Sequence, residues 1–380
     1  GICANCCVRN AIFSRWPVLR TGRSSGEERE GRVYMNERIA IVGAGAAGMI
    51  TAAYLTQNGA EVILCDLEEQ CWEDFGAISE LGIKIKGPGL VSGLRPAVMT
   101  HSIAEAMEAE CILVCVSSGR QKKTAEWMAP WLRPEHKILL MPGNLGTVIF
   151  ARVFRTQGKN CSLLAELSEC LWACRRLAPG HCISAMPLGE KRIAAFPSED
   201  TPKAMETFGG LLPLKAGANL AEDCLNSPNV LTHLSGTLLN LGGIAQKKEK
   251  FALFVDGLND GYIRCLKLLE EERKEVLKAA GMECYAAPVE PLMAKLRAPQ
   301  AHPELEAFRQ LSGPDGLEHR YITEDAPCGV AFLVSTARRY GVKAPVTEAL
   351  LTLAGSLTGN DYLRDGRTWD WLAEDGADVV

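Results

Sequence analysis

Long apolar runs, basic blocks and sequence repeats are all missing from this chain. No stretch of it approaches the ~18 uninterrupted apolar residues of a membrane-spanning helix, which argues against a membrane protein. The net charge is −5 and Lys and Arg are dispersed, so nucleic acid is not expected as a main ligand. Fifteen cysteines are many, but they are scattered rather than arranged as a disulfide framework, which belongs to small secreted domains. Several sit inside apolar runs, as Cys111 and Cys115 do in ECILVCV, where a free thiol behaves as a small hydrophobe. These features read as a reduced, cytoplasmic protein. No signal peptide is expected either, because Arg15 and Pro17 interrupt AIFSRWPVL before a long apolar region forms. Cys3, Cys6 and Cys7 form a CxxCC cluster, yet no second ligand pair follows at zinc-site spacing, so no metal is assigned. Residues 1–36 carry six Arg without periodicity and read as a disordered or non-native extension, with Met35 as the natural start.

What the chain does have is regular alternation from Arg38 onward. RIAIV is a short continuous apolar run, as a parallel strand buried on both faces requires. GAGAAG follows directly, MITAAYLTQNG reads as a helix stopping at Gly59, and EVILCD as a second buried strand. Ile83 to Lys86 reads as a short third strand, IAEAMEA as a helix, CILVCV as a strand, residues 121–132 as a helix and KILLM as a strand ending at Pro142-Gly143. CSLLAE, HCISAM and RIAAFP continue the pattern. Strands alternating with helices predict an α/β fold, a Rossmann-type doubly wound parallel sheet, over residues 37–210. Beyond Pro213 strand signals fade and helical spacing takes over, in VLTHLSGTLLNLGGIA, GYIRCLKLLEEERKEVLKAAG, VAFLVSTARRYG and APVTEALLTLAGSL. Residues 211–380 are expected to form a mostly helical domain, and 380 residues suit two domains.

GxGxxG alone is weak evidence, but Gly43, Gly45 and Gly48 directly follow a buried strand and open a helix. In that setting Gly43 permits the tight turn, Gly45 a close approach of pyrophosphate, and Gly48 close helix–strand packing. Ala44, Ala46 and Ala47 complete a loop whose free N–H groups and helix dipole suit phosphate. Asp66, at the end of the second strand, is placed to accept from adenosine ribose hydroxyls; the competing reading is a loop cap. A carboxylate there repels a 2′-phosphate and no Arg follows it closely, favouring NAD with NADP as the alternative. FAD shares the fingerprint, but the later strands and the helical domain fit a nicotinamide cofactor better. Ligands of open α/β sheets bind beyond the carboxyl ends of the strands, which points to Val116, Ser117, Pro142 and Gly143, with Asn144 beside them.

Two clusters beyond the sheet are candidates for chemistry. His233, Thr237 and Asn240 fall at i, i+4 and i+7 of a Leu-rich helix and would share one face, with Gly236 leaving room beside them. Polar groups on an apolar helix need partners, and a cleft holding polar substrate would provide them; a core histidine bonded to nearby backbone would too. Arg320 and Asp325 lie five apart in HRYITEDAPCG. From the residues alone, a surface arginine and a helix-capping aspartate remain an equal reading.

LTHLSGTLLNLGG resembles the His-x-x-x-Thr-Leu-Leu-Asn-x-Gly segment of the opine dehydrogenases, the octopine/nopaline dehydrogenase family. HRYITEDAPCGV is similar to that family's Arg-Tyr-x-x-Glu-Asp-x-Pro-Tyr-Gly segment, LLAELSECLWACR to its Ala-Glu-Thr…Pro-Tyr-Ala-Cys-Arg strand and turn, and GNDYLRDGRTWDWL to its Gly-Arg-Thr ending. The resemblance runs in order from Glu37 to Leu372. It implies a C-terminal domain like that of 6-phosphogluconate dehydrogenase, and an NAD(P)-dependent reductive condensation of an amino acid with a 2-oxo acid. It also implies a His233–Asp325 acid/base pair, with Arg320 on a substrate carboxylate and Thr237 and Asn240 near substrate. Cys328 stands where the family has Tyr, and Leu171-Trp172 where it has Pro-Tyr, so the substrate pocket departs from the pattern. Two other readings stand beside this one: a keto-acid or imine reductase without an amino acid substrate, and a non-catalytic dinucleotide-binding protein. Small-molecule substrates are the expected partners, and a homodimer is left open.

Overall fold

Ile39 and Ile41 of the first strand enter one apolar core, while Ala40 and Val42 enter another on the opposite face. That arrangement needs helices on both sides of the sheet, and the fold supplies them. The computed structural model describes residues 37–67, 71–374, 376 and 379–380; expectations for the first 36 residues lie outside these. Among the described residues eleven strands run in chain order as β1 Arg38–Val42, β2 Glu61–Cys65, β3 Lys84–Lys86, β4 Val98–Thr100, β5 Cys111–Val114, β6 Lys137–Leu140, β7 Leu163–Leu167, β8 Cys174–Ala178, β9 His181–Ser184, β10 Lys191–Ala195 and β11 Leu214–Ala216.

Eight of them form one sheet in the order β11-β10-β7-β6-β5-β1-β2-β4. All of its pairs are parallel except β10 with β7. This is the expected Rossmann-type arrangement, with two differences. The third strand beside β2 is β4 (Val98–Thr100), not the Ile83–Lys86 stretch. The latter supplies β3 to a separate three-stranded sheet, β3-β9-β8, to which HCISAM contributes β9. The cause is visible in β3 itself: Lys-Ile-Lys alternates with water on one side, whereas a strand inside the main sheet must be apolar on both. A last strand, β11, follows Pro213 and extends the sheet by pairing with β10.

From Leu220 the described chain is helical. Its largest core gathers Leu231, Leu234, Tyr262, Leu266, Phe332 and Leu333 from helices Asn229–Leu238, Asp260–Ala279 and Ala331–Arg339. Gly281 and Gly359 end their helices with φ of +72° and +74°. The VLTHLSGTLLNLGGIA segment is two helices rather than one, breaking at Asn240 between Leu238 and Leu241. No described helix is long and apolar enough to cross a membrane.

Candidate active site

The glycine loop joins β1 to the helix Ala46–Gln57. Gly43 has φ of +108°, and a Cβ there would lie 2.6 Å from the Cys115 carbonyl oxygen. A Cβ on Gly48 would lie 1.8 Å from the Gly43 carbonyl oxygen, so only glycine lets the helix sit this close to the strand. Gly45 differs: nothing lies within 4 Å of its would-be Cβ, and as N-cap it offers no side chain to the first N–H groups of the helix. Those donors and that open space are what a pyrophosphate needs. Asp66 reaches the same loop, its Oδ2 accepting from Ala44 N at 2.7 Å. The residues present therefore fit a dinucleotide.

A cavity of about 580 Å³ begins here and runs to the helical half. Gly45, Ala46, Ala47, Val116, Ser117 and Pro142 line its one end. Gly43, Ala44, Gly48, Asp66 and Gly143 are not among the lining residues; Gly143 is packed so closely on Glu166 that a Cβ would fall 2.2 Å from its side chain.

At the other end, His233 and Asp325 meet although 92 residues separate them, Nδ1 to Oδ2 at 2.8 Å. His233 belongs to helix Asn229–Leu238; Asp325 lies just before the wide turn Ala326–Val330 that leads into Ala331–Arg339. Both are buried, and both line the cavity. The Tyr321 ring stacks on the imidazole, 3.5 Å between centroids and 14° from parallel. Arg175 donates to the Tyr321 hydroxyl and to the Ser312 carbonyl, fixing that ring in turn. Burial, helped by the guanidinium groups of Arg320 and Arg175 and by His319, pushes the imidazole well below its usual range. Burial also pushes the Asp325 carboxyl up, with Glu324 adding and Arg320 opposing. The free site thus resists an imidazolium and keeps a neutral ring, with Nδ1 engaged and Nε2 the remaining nitrogen.

Arg320 lines the same cavity with 44% of its side chain accessible. Its Nη1 lies 3.4 Å from Glu324 Oε2. The other oxygen of Glu324 accepts from Ser118 N at 2.7 Å and Ser118 Oγ at 2.8 Å. Asn144 Nδ2 donates to Ser118 Oγ at 2.9 Å, and Arg367 donates to the carbonyls of Ser118 and Asn144. The sheet edge expected near the nicotinamide is thereby tied to the helical half by Glu324 and Arg367.

Thr237 and Asn240 are not brought to the cavity. Thr237 Oγ1 donates to the His233 carbonyl at 2.8 Å and is fully buried. Asn240 Nδ2 donates to the carbonyls of Gly236 and Gly257. Gly236 leaves room for Leu253 and the Tyr262 hydroxyl rather than for a ligand. Tyr321, Arg175, Glu324 and Arg367 escaped the sequence reading. Tyr321 and Glu324 lie within HRYITED and Arg175 within LWACR, but their convergence is set by the crossing of distant elements and has no local signal. Among the described residues no cluster of His, Cys, Asp or Glu could hold a metal.

Residues 216–358 match the family model for the alpha-helical domain of NAD/NADP octopine/nopaline dehydrogenase, and residues 39–181 that of ketopantoate reductase PanE/ApbA. The chain is 28% identical to an opine dehydrogenase of Arthrobacter sp. (strain 1C) over 350 residues, 89% of this chain and 95% of that one. Its fold is similar to that of octopine dehydrogenase solved with NADH and L-arginine, with a TM-score of 0.62, 16% identity and coverage of 87% and 93%. It is also similar to D-mandelate dehydrogenase solved with NADH and anilino(oxo)acetate, with a TM-score of 0.58, 18% identity and coverage of 84% and 97%. Fold and cavity define an NAD-dependent oxidoreductase built from a Rossmann-type sheet and a helical domain. The helical half thus matches the octopine/nopaline dehydrogenase domain, and the chain as a whole is similar to opine dehydrogenases.

Proposed function

We propose that this chain is an NAD-dependent opine dehydrogenase, joining the amine of an amino acid to a 2-oxo acid with loss of water and reducing the resulting imine. The observation that carries the reading is the His233–Asp325 pair beside Arg320, in one cavity with the glycine loop. The N–H groups around Gly45, Ala46 and Ala47 would hold the pyrophosphate, Asp66 the adenosine ribose, and the Val116–Ser117 and Pro142 edges the nicotinamide end. Glu68 and Glu69 follow Asp66 in the sequence and disfavour a 2′-phosphate, so NAD is preferred to NADP.

Bound NADH supplies the hydride that reduces the imine carbon. The protein does the rest. Arg320 docks the 2-oxo acid carboxylate through parallel hydrogen bonds, which a planar guanidinium provides better than an ammonium. His233 Nε2 takes a proton from the substrate ammonium, freeing the amine to attack the keto carbon, and returns a proton as water leaves. Asp325 fixes the tautomer and stabilises the transient imidazolium. Burial is the larger cause of the low basicity of His233; substrate carboxylates entering beside Arg320 would offset the part that comes from the guanidinium groups. The balance is amino acid, 2-oxo acid, NADH and a proton giving the secondary amine dicarboxylate, NAD⁺ and water.

NADH oxidation against a matrix of amino acids and 2-oxo acids, with products identified by mass, tests this. A secondary amine carrying both substrate skeletons is the expected product. The ketopantoate reductase match over the sheet half favours a second reading, reduction of a 2-oxo acid alone. NADH oxidation by pyruvate unaffected by added amino acids would select it. The twelve described cysteines are free thiols, which supports a cytoplasmic setting. A homodimer is the assembly we would test first, by sedimentation.

A further inference from the structure

We infer that the amino acid substrate carries an apolar side chain, seated on a wall made by Phe254, Val289, Leu292, Met293, Phe308 and Leu311. This inference rests on the opine dehydrogenase reading above and names the substrate class of that site. All six residues line the cavity that holds His233 and Arg320. They come from, or flank, three short helices of the helical half, Leu253–Asp256, Glu290–Leu296 and Glu306–Arg309. Phe254 and Phe308 meet edge to face with centroids 4.8 Å apart. Five of the six are buried, and Leu292 is partly buried against the same core.

The wall joins the reacting groups through Arg175. Its Nε donates to the Ser312 carbonyl, next to Leu311, and its Nη2 to the hydroxyl of Tyr321, which stacks on His233. An amino acid with its amine at His233 and its carboxylate among these guanidinium groups has its side chain left to face the apolar residues.

The charges in the cavity argue against the alternatives. Three carboxylates line it, and each is engaged: Glu169 by Lys191 at 2.9 Å, Glu324 by Ser118 and Arg320, Asp325 by His233. A guanidinium or ammonium side chain would find no acid to pair with and would meet the field of Arg175, Arg176, Lys191 and Arg320. An acidic side chain laid on the wall would surrender its hydration to six hydrocarbon or thioether groups. An alkyl, thioether or phenyl side chain loses nothing there and gains with each buried carbon.

The test is the native enzyme with NADH, pyruvate and single amino acids. Leucine, norvaline, methionine and phenylalanine are expected to exceed arginine, lysine and glutamate in kcat/KM by about 100-fold or more, with alanine between the groups. Arginine equal to or better than leucine, with octopine-type product formed, overturns the inference and leaves the opine reading standing. A complete absence of secondary amine product removes that reading and this inference together. Leu292→Asp, which places a carboxylate in the partly buried position, is expected to lower kcat/KM for leucine at least about tenfold and to raise it for arginine. If the charge impairs folding, Leu292→Ala should still cost leucine severalfold, and cost it more than it costs alanine. Unchanged leucine kinetics in a folded variant count against the wall.

Discussion

The two halves of this molecule prepare for their ligands in different ways. The sheet half offers main chain: N–H groups at a helix start, a turn that only glycine makes, and a single carboxylate reaching back to the loop. The helical half offers side chains: an imidazole, a carboxylate, a phenol and the Arg320 guanidinium, brought together from positions as far apart as 233 and 325. A main-chain site depends on a few adjacent residues and survives large changes elsewhere. A side-chain site depends on how whole helices cross, and so it is the part of the molecule through which specificity can change while the cofactor stays the same.

Substitutions in each half put this contrast to the test. The largest effect is expected from His233→Ala, which should lower kcat by about 1000-fold while leaving NADH affinity unchanged in fluorescence titration. Near-normal turnover would remove the acid–base role; a parallel loss of NADH binding would erase the separation between halves. Gly45→Val is the converse. Its side chain occupies the space kept for phosphate, so NADH affinity should fall by about 100-fold with little change in Tm. Arg320→Ala should raise KM for the 2-oxo acid by about 10- to 100-fold with a smaller change in kcat, and Arg320→Lys should recover part of it. An unaltered KM rejects carboxylate docking at that position.

The smallest effect on activity is expected at Asp223, which lies where the helical half begins and belongs to neither ligand set. Its Oδ1 accepts from the Tyr285 hydroxyl, and burial pushes its carboxyl up to about 7 from 3.8. The folded state therefore holds a proton that the unfolded chain gives up near pH 4, so the native protein loses stability between about pH 4 and 7 and no more above that. Asp223→Asn removes this titration. Thermal melts should show the variant gaining on the native protein across that window, by a few kcal/mol at pH 8, with NADH binding intact. A gap independent of pH would mean that the carboxyl titrates normally.

How far each half could be read from sequence follows the same division. Gly43, Gly45, Gly48 and Asp66 were legible because strand, turn, helix and carboxylate are neighbours in the chain and their geometry is local. The His233–Asp325 partnership came from resemblance; spacing alone left a core histidine and a capping aspartate equally open. Helical phase misled at Thr237 and Asn240. Thr237 shares a helix with His233 and Asn240 lies just past that helix's end, but each meets its hydrogen-bonding need by bonding to backbone carbonyls, His233 for one and Gly236 and Gly257 for the other. The cost of burying a polar group says that it has a partner, not that the partner is a ligand. β3 and β9 were misplaced for a related reason: a short run with strand character does not say which sheet it joins.

Arg367 reaches back 249 positions to the Ser118 carbonyl. A polypeptide leaves the ribosome from its amino end, so the glycine loop and all eight strands of the main sheet emerge long before this guanidinium does. Until then nothing from the tail clasps the Ser118–Asn144 edge, and the nascent chain is a nucleotide fold without a finished workplace. Messages or proteolytic cuts that stop short of residue 367 would yield a protein still shaped to receive NADH but with its catalytic floor unfastened.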